Sequence, residues 1–335
     1  MKKSVMLALA VLMTFSLGFG TAQAGQRARE LRMSVTTSET SVWMVAAREF
    51  KRIVEEKTEG RYKVSIFPNE QLSGGDMVKG VEMLFTGVND LDIHSTINMT
   101  GFEPKLNVVS MPWIFPKGYE SVDELIFNGP GLKIITDLIE AKGAVVLGLG
   151  EVGFRQLTNN RRAVSSVEDM IQLKIRVPAI KMYVDTLKGF GADPTAMNFA
   201  EVFTALQQGT IDGQENPLDT IRSGKIHEVQ KYCTLWNWSY DPIALSISTK
   251  AWGRLSDADK KIFKEAGEEA CRLQKETART MDAQIVEEFK KAGVEFSTLT
   301  PEQVDGFKKA AAPVYDSYRE RITDEVFNAF GYTFD

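Results

Sequence analysis

The sequence predicts an α/β protein of two lobes, each built on a mainly parallel sheet flanked by helices. Strand-like and helical segments alternate in both halves of the chain, the order typical of a parallel sheet with covering helices. Two segments, 144–159 and 256–291, are longer than one small lobe needs, so they predict connections that cross between lobes. The length of 335 residues also fits about two domains of ordinary size.

The N-terminal 24 residues predict a signal peptide. Lys2 and Lys3 precede an apolar run over 5–19, and Ala22-Gln23-Ala24 forms a small-residue cleavage site. The apolar run is too short to span a membrane comfortably. We therefore expect an exported, soluble chain whose signal peptide, residues 1–24, is cleaved.

Composition and charge exclude several classes of protein. The formal net charge is -5, so nucleic acid is not an expected partner. The two histidines, His94 and His227, show no metal-ligand spacing with the two cysteines, and we expect neither a metal nor a cofactor. Whether Cys233 and Cys271 pair stays open, because the sequence gives no distance between them.

The first half of the chain predicts a β-α-β-α-β unit. The apolar patterns predict its elements in the order strand 31–36, helix 41–57, strand 61–67, helix 75–86 and strand 91–95. Ligands of such sheets lie at the carboxyl ends of the strands, here the loops after Val35 and Ile93.

The second half repeats this order after the long crossing strand 144–159. A capping box at Ser165–Glu168 precedes strand 173–177 and helix 179–188. A second capping box, Asn198–Glu201, begins helix 199–208, and a strand is predicted over 210–213.

The C-terminal region predicts two helices. Apolar residues recur at helical spacing over 256–291 and predict a helix about 50 Å long that spans both lobes. A break at Gly267 is the alternative. Thr300 and Pro301 begin a last helix that runs toward Tyr318. These elements divide the chain into the predicted lobe I, 25–150 with 241–281, and lobe II, 151–240 with 282–335.

The candidate chemistry lies in two arginines within predicted strands. The chain lacks the common catalytic motifs, whereas Arg155 and Arg176 stand among apolar neighbours. A guanidinium in a central strand needs an anionic or carbonyl partner, and a ligand carboxylate offers bidentate geometry. An internal salt bridge or an edge strand is the alternative for each.

Four motifs in order resemble the solute-binding proteins of tripartite ATP-independent periplasmic (TRAP) transporters, the DctP-like family. They are Phe67–Leu72, Gly153–Gln156, Lys174–Pro178 and Phe199–Pro217. The resemblance implies a periplasmic receptor, not an enzyme, that closes on a small organic acid and delivers it to the TRAP membrane subunits. It also favours a monomer.

The resemblance implies roles for individual residues. Arg176 is similar to the family's carboxylate clamp, Arg155 to its second arginine, Asn216 to an amide that reaches the acid, and Phe199 to an aromatic ring against the ligand. The further candidate ligand contacts are Thr36, Trp43, Asn98 and Trp238. The alternatives are a core position for Phe199 and the tryptophans, and a pre-proline turn for Asn216.

The ligand class follows from a departure from the family pattern. We find no counterpart of the acid with which sialic-acid-binding relatives contact hydroxyls, while Trp43, Trp236 and Trp238 predict an aromatic end to the pocket. A mono- or dicarboxylate, with a 2-oxo or 2-hydroxy acid favoured over sugar acids, is therefore expected. A secreted enzyme with Glu215 or Asp212 as general base, or a ligand-sensing partner of a membrane receptor, are the alternatives.

Overall fold

The strands form one mixed sheet that runs through both lobes. The structure, a computed structural model, describes residues 28–334, so the predicted signal peptide lies outside the described residues. Within this range the strands are β1 (Arg29–Val35), β2 (Tyr62–Phe67), β3 (Leu91–Ser95), β4 (Ala144–Asn159), β5 (Lys174–Val177), β6 (Asp193–Ala196), β7 (Gly213–Pro217), β8 (Tyr232–Leu235), β9 (Tyr240–Ser248) and β10 (Glu295–Thr298).

Helices cover both faces of this sheet. They are α1 (Trp43–Lys57), α2 (Met77–Phe85), α3 (Tyr119–Val122), α4 (Gly131–Glu140), α5 (Lys181–Gly189), α6 (Phe199–Gln207), α7 (Leu218–Ser223), α8 (Thr249–Trp252), α9 (Asp257–Lys291), α10 (Pro301–Ile322) and α11 (Asp324–Ala329). The helices and strands predicted in the first lobe lie within two residues of these bounds.

Each lobe contains both parallel and antiparallel strand pairs. The strand order is β2-β1-β3-β9-β4-β7-β5-β6, with β8 beside β4 and β10 beside β8. The antiparallel pairs all involve β4 or β9. Strand β4 pairs with β9 over its first part and with β7 and β8 from Arg155 and Leu157 onward. It therefore crosses between the lobes as predicted, while the exact lobe boundaries stay a prediction.

Helix α9 is continuous for 35 residues and packs against both lobes. Phe263 and Ala270 belong to the core around β1 and α1, whereas Ile285 and Phe289 belong to the core around α6 and α7. The helix does not break at Gly267. A Cβ at this position would lie 2.6 Å from the carbonyl oxygen of Leu147, so glycine is needed for the close approach of α9 to β4.

Three local predictions in the second lobe are wrong, one of them the capping box at Asn198–Glu201, where the Asn198 side chain makes no capping hydrogen bond. The strand predicted over 210–213 begins only at Gly213 and ends at Pro217, because Gly209 has positive φ and the chain turns before it pairs with β4 and β5. The capping box predicted at Ser165–Glu168 is absent. The Asp169 carboxylate instead accepts hydrogen bonds from the N–H groups of Ser165 and Ser166, and only a 3-10 turn follows.

The chain turns between β8 and β9. Asn237 adopts a left-handed conformation with φ of 48°. The Gln156 side-chain oxygen accepts from the backbone N–H groups of Trp236 and Asn237 at 3.0 and 3.2 Å. The four residues between β8 and β9 are thus a hydrogen-bonded turn rather than extended chain.

The cysteines are both free and buried, one in each lobe. Burial raises the pKa of each thiol, Cys233 and Cys271, to about 12. Among the residues that the structure describes, no helix is both long enough and apolar enough to cross a membrane.

Candidate functional site

A cavity lies between the lobes. Its walls come from the carboxyl ends of strands and the turns that follow them, as expected for sheets of this kind. The first lobe contributes Thr36, Thr37, Trp43, Met77, Ser95, Ile97 and Asn98. The second lobe and the crossing strands contribute Arg155, Arg176, Pro178, Phe199, Asn216, Thr220 and Asp241. Seven of the eight predicted site residues therefore line one cavity.

Trp238 is the predicted site residue that the structure does not place in the cavity wall. Its ring is fully buried and stacks at a tilt on Tyr183, with ring centroids 4.7 Å apart. Its Nε1 donates to Glu215 Oε2 at 3.1 Å. Trp236 is also buried, among Trp113, Phe190 and Phe307. Of the three tryptophans expected at the aromatic end of the pocket, Trp43 lines the cavity. Trp236 and Trp238 do not, because the turn at Asn237 directs their rings into the core.

Arg176 is a buried cation without an internal counter-ion. It projects from β5, is 1% exposed, and donates from Nε and Nη2 to the Met197 carbonyl oxygen at 2.9 and 2.6 Å. No described carboxylate lies within salt-bridge distance of it. Burial, together with the nearby charge of Arg155, lowers the pKa of Arg176 to about 9. A bound anion would supply the missing partner.

The Phe199 ring lies 5.9 Å from the Arg176 guanidinium carbon and lines the same cavity. The residue is the first of helix α6, and the Asn198 side chain before it makes no capping hydrogen bond. Phe199 is partly exposed rather than enclosed in the core. The ring is thus on the cavity wall beside Arg176, and its contact with a ligand stays a prediction.

Arg155, in contrast, is neutralised by the protein. Its Nε and Nη2 donate to the two carboxylate oxygens of Glu215 at 2.5 and 2.9 Å, and its Nη1 donates to Asp241. Glu215 and Asp241 are themselves buried, and burial raises the pKa of both carboxyl groups. The internal salt bridge considered for Arg155 is therefore present.

Asn216 is held in β7 rather than in a turn. Its Oδ1 accepts from Arg155 Nη2 at 3.0 Å, and its Nδ2 donates to Gln214 Oε1. An amide nitrogen carries two hydrogens, so one Nδ2 hydrogen is left for a ligand.

The two carboxylates considered as general bases are occupied elsewhere. Glu215 is bound to Arg155 and does not line the cavity. Asp212 accepts from Arg161 Nε at 2.6 Å and from the backbone N–H of Lys174 at 2.9 Å. Neither carboxylate has a free oxygen positioned on a substrate.

The first-lobe wall contains polar groups without protein partners. The indole Nε1 of Trp43 is buried and makes no hydrogen bond within residues 28–334. The Asn98 amide, in the turn after β3, also makes none in the described part of the chain. A donor-only indole and an amide can both receive a ligand oxygen.

Behind the first-lobe wall lies a buried cluster that sequence reasoning missed. Glu70, Asp92 and His94 are at most 1% exposed, and His94 Nε2 lies 3.0 Å from oxygens of both acids. Thr36 Oγ1 lies 2.9 Å from Glu70 Oε1 and 3.1 Å from His94 Nδ1. The sequence offered one indication of this cluster, because Glu70 lies within the motif Phe67–Leu72.

The two lobes touch across the mouth of the cavity. The backbone N–H of Val42, just before α1, donates to Asp219 Oδ2 of the second lobe at 2.9 Å. The Ser38 hydroxyl donates to the carbonyl oxygen of Ser223 at 3.1 Å. These contacts describe a closed arrangement of the lobes.

Comparison with known proteins identifies the family. The family model for bacterial extracellular solute-binding proteins, family 7 (DctP), matches residues 33–321. A solute-binding protein of Verminephrobacter eiseniae is 33% identical over 87% of this chain and 85% of its own length.

Solved structures are also similar. A TRAP periplasmic solute-binding protein of Ralstonia eutropha with bound (S)-2-hydroxy-2-methyl-3-oxobutanoate has a TM-score of 0.87 and 31% identity, covering 90% of this chain and 98% of that one. One from Polaromonas bound to D-erythronate has a TM-score of 0.85 and 34% identity, covering 92% and 99%. Other similar structures hold galacturonate or succinate.

These relatives are binding proteins rather than enzymes, as the sequence predicts. The mixed α/β architecture, the long C-terminal helix and the cavity between two lobes agree with theirs. The chain therefore belongs to the DctP family of bacterial extracellular solute-binding proteins, the periplasmic receptors of TRAP transporters.

Proposed function

We propose that this protein is exported with a cleaved signal peptide, residues 1–24, and acts in the periplasm as a monomeric receptor for a small monocarboxylate. It delivers this acid to TRAP membrane subunits. The observation that carries the proposal is Arg176, a buried guanidinium on the cavity wall with no carboxylate partner in the described chain. A ligand carboxylate would accept two parallel hydrogen bonds from it.

The charge of the cavity supports a single carboxylate. Arg155 already pairs with two protein carboxylates, Glu215 and Asp241, so it has no positive charge left over for a ligand. Only Arg176 remains to balance a ligand. The second carboxylate of a dianion would enter a buried site without a cation, which costs several kcal/mol.

The other residues of the cavity wall favour a ligand whose tail is short and carries both polar and apolar groups. Met77, Ile97, Pro178 and Phe199 are apolar, while Trp43 and Asn98 offer unused donors. The ligands named for the Ralstonia and Polaromonas proteins are short acids with one carboxylate and a hydroxyl at carbon 2. A branched or short 2-hydroxy or 2-oxo acid matches this wall better than a six-carbon sugar acid such as the galacturonate of a similar structure.

Calorimetric titration tests the clamp. We expect Arg176→Ala to lose D-erythronate or 2-hydroxy-3-methylbutanoate binding by about 100-fold or more, since each charged hydrogen bond contributes about 1.5–3 kcal/mol. Arg176→Lys should also bind weakly, because an ammonium cannot reproduce the paired geometry. Arg48→Ala, at an exposed arginine of α1, is the control. Wild-type affinity in Arg176→Ala would refute the assignment.

A further inference from the structure

We propose that two hydroxyl oxygens of the first-lobe wall, those of Thr36 and Ser95, act only as hydrogen-bond acceptors toward a ligand, so that the receptor selects acids with a hydroxyl near the carboxylate over the matching 2-oxo acids. The inference rests on the proposed function and narrows its ligand class. It is carried by two cavity-lining hydroxyls, Thr36 and Ser95, whose hydrogens are both committed to carboxylates inside the protein.

Thr36 has no hydrogen to offer a ligand. Glu70 receives the hydroxyls of Thr36, Ser34 and Ser73 at 2.9–3.1 Å. His94 Nε2 lies 3.0 Å from Glu70 Oε1 as well. Three hydroxyls thus direct their hydrogens to the side-chain oxygens of Glu70. The single Thr36 hydrogen therefore points to Glu70, away from the cavity.

His94 completes the arrangement in either protonation state. Although burial favours the neutral ring, Asp92 and Glu70 raise the pKa of His94 to about 9. In the charged ring, Nδ1 donates to Thr36 Oγ1 across 3.1 Å and leaves one lone pair of that oxygen free. In the neutral ring, Nδ1 competes with Glu70 for the same Thr36 hydrogen. Neither state returns the hydrogen to the cavity.

Ser95 repeats the pattern at the arginine end of the cavity. Its hydroxyl donates to Asp241 Oδ1, while the other oxygen of Asp241 accepts from Arg155. The Ser95 oxygen also accepts from the backbone N–H of Ile97 at 3.3 Å, and one lone pair remains. This chain of contacts places an acceptor beside the arginines, where the carboxylate end of a ligand would lie.

A ligand hydroxyl fits these groups and a 2-oxo oxygen does not. A hydroxyl can donate to Thr36 or Ser95 and accept from Trp43 Nε1 or the Asn98 amide. An oxo oxygen can accept from Trp43 Nε1 or the Asn98 amide but cannot donate, so the lone pairs of Thr36 and Ser95 stay unpaired. Sites built to hydrogen-bond a ligand hydroxyl discriminate strongly against analogues without it. We expect a preference of about tenfold or more.

The test is calorimetric titration of a matched pair, 2-hydroxy-3-methylbutanoate (each enantiomer) and 3-methyl-2-oxobutanoate. The wild-type protein should bind one hydroxy enantiomer at least about tenfold more tightly than the oxo acid. Thr36→Val should remove most of this preference by weakening the hydroxy acid alone. Thr36→Ser, which keeps the hydroxyl, should retain it. Thr58→Val is the control, because Thr58 is a buried first-lobe hydroxyl that bonds to Val54 at the end of α1.

The outcomes separate the two proposals. If the oxo acid binds as tightly as the hydroxy acid and both depend on Arg176, the proposal that Thr36 and Ser95 select a hydroxyl is wrong. The proposal that the protein is a receptor for monocarboxylates is then still supported. An unchanged preference in Thr36→Val would also overturn the role of Thr36. If neither acid binds, nor D-erythronate, and Arg176→Ala changes nothing, both proposals fail together.

Discussion

At the scale of single residues, the two buried arginines of the cavity differ in what balances their charge. Arg155 shares five hydrogen bonds with Glu215, Asp241 and Asn216. Within residues 28–334, Arg176 donates to the Met197 carbonyl alone. The first arginine therefore stabilises the fold, whereas the second remains partly unsatisfied until a ligand arrives.

This difference predicts opposite effects on stability. We expect Arg155→Met to lower the free energy of unfolding of the ligand-free protein by about 3–5 kcal/mol, because two buried carboxylates lose their partner. Arg176→Met should leave it unchanged or raise it, since removal of an unpaired buried charge offsets the lost hydrogen bonds. Urea denaturation of both variants measures this. A larger loss in Arg176→Met than in Arg155→Met would contradict the assigned roles.

The sequence predicts a site residue more easily when the residues that it contacts lie close to it along the chain. Arg176 was predictable because a charged residue interrupts an apolar strand. The cluster of Glu70, Asp92 and His94 was not, since its members come from a turn and a strand that meet only in the folded lobe. Trp238 was wrongly predicted to line the cavity, because no sequence pattern indicates the left-handed turn at Asn237.

At the scale of elements, the crossing of α9 over β4 depends on glycines. Gly267 and Gly148 face each other, and a Cβ on Gly148 would lie 2.4 Å from the Gly267 carbonyl oxygen. Backbone atoms cannot rotate away from such a contact as a long side chain can. The two long elements that join the lobes are therefore in direct backbone contact.

We expect Gly267→Ala to destabilise the protein by about 1–3 kcal/mol, because the overpacked backbone contact outweighs the better helix propensity of alanine. Gly306→Ala in α10 is the matched control. A Cβ there meets nothing within 4 Å, so this variant should gain up to about 1 kcal/mol. Thermal or urea unfolding of the two variants and the wild type measures these changes in stability. A stabilised Gly267→Ala would show that α9 can move away from β4.

The long elements were the most predictable ones, whereas the strand predicted near β7 was misplaced. Strand β4 has the predicted bounds, and α9 begins one residue after the predicted start. Strand β7 lies in the middle of the sheet, yet it carries Gln214, Glu215 and Asn216. These polar side chains are buried because Thr158 and Arg155 pair with them, and such pairing leaves no periodic apolar pattern.

At the scale of the whole molecule, Asp219 links the two lobes when the cavity is closed. Its carboxylate accepts from the N–H of Val42, at the start of a 15-residue helix of the other lobe. The positive end of the helix dipole favours an anion at this place. Helix α1 itself has no side-chain cap from its own lobe. Asp219 therefore caps α1 only in the closed arrangement.

We expect Asp219→Ala to weaken acid binding by about 3- to 30-fold, the effect of losing one N-terminal cap of about 0.5–2 kcal/mol. Small-angle scattering at saturating D-erythronate should show a smaller ligand-induced decrease in the radius of gyration than in the wild type. Asp193→Ala, at an exposed aspartate of the same lobe, is the control. Wild-type affinity and compaction in Asp219→Ala would exclude this contact as a stabiliser of closure.

The position of β9 has a consequence for how the chain folds. Strand β3 ends at residue 95 and β4 begins at residue 144, yet the strand between them in the sheet begins at residue 240. The first lobe therefore cannot complete its sheet until most of the second lobe has been synthesised. Domains usually fold one after another from the N-terminus. Here the non-local pairing of β9 makes folding slow and concerted, so that neither lobe is an independent folding unit.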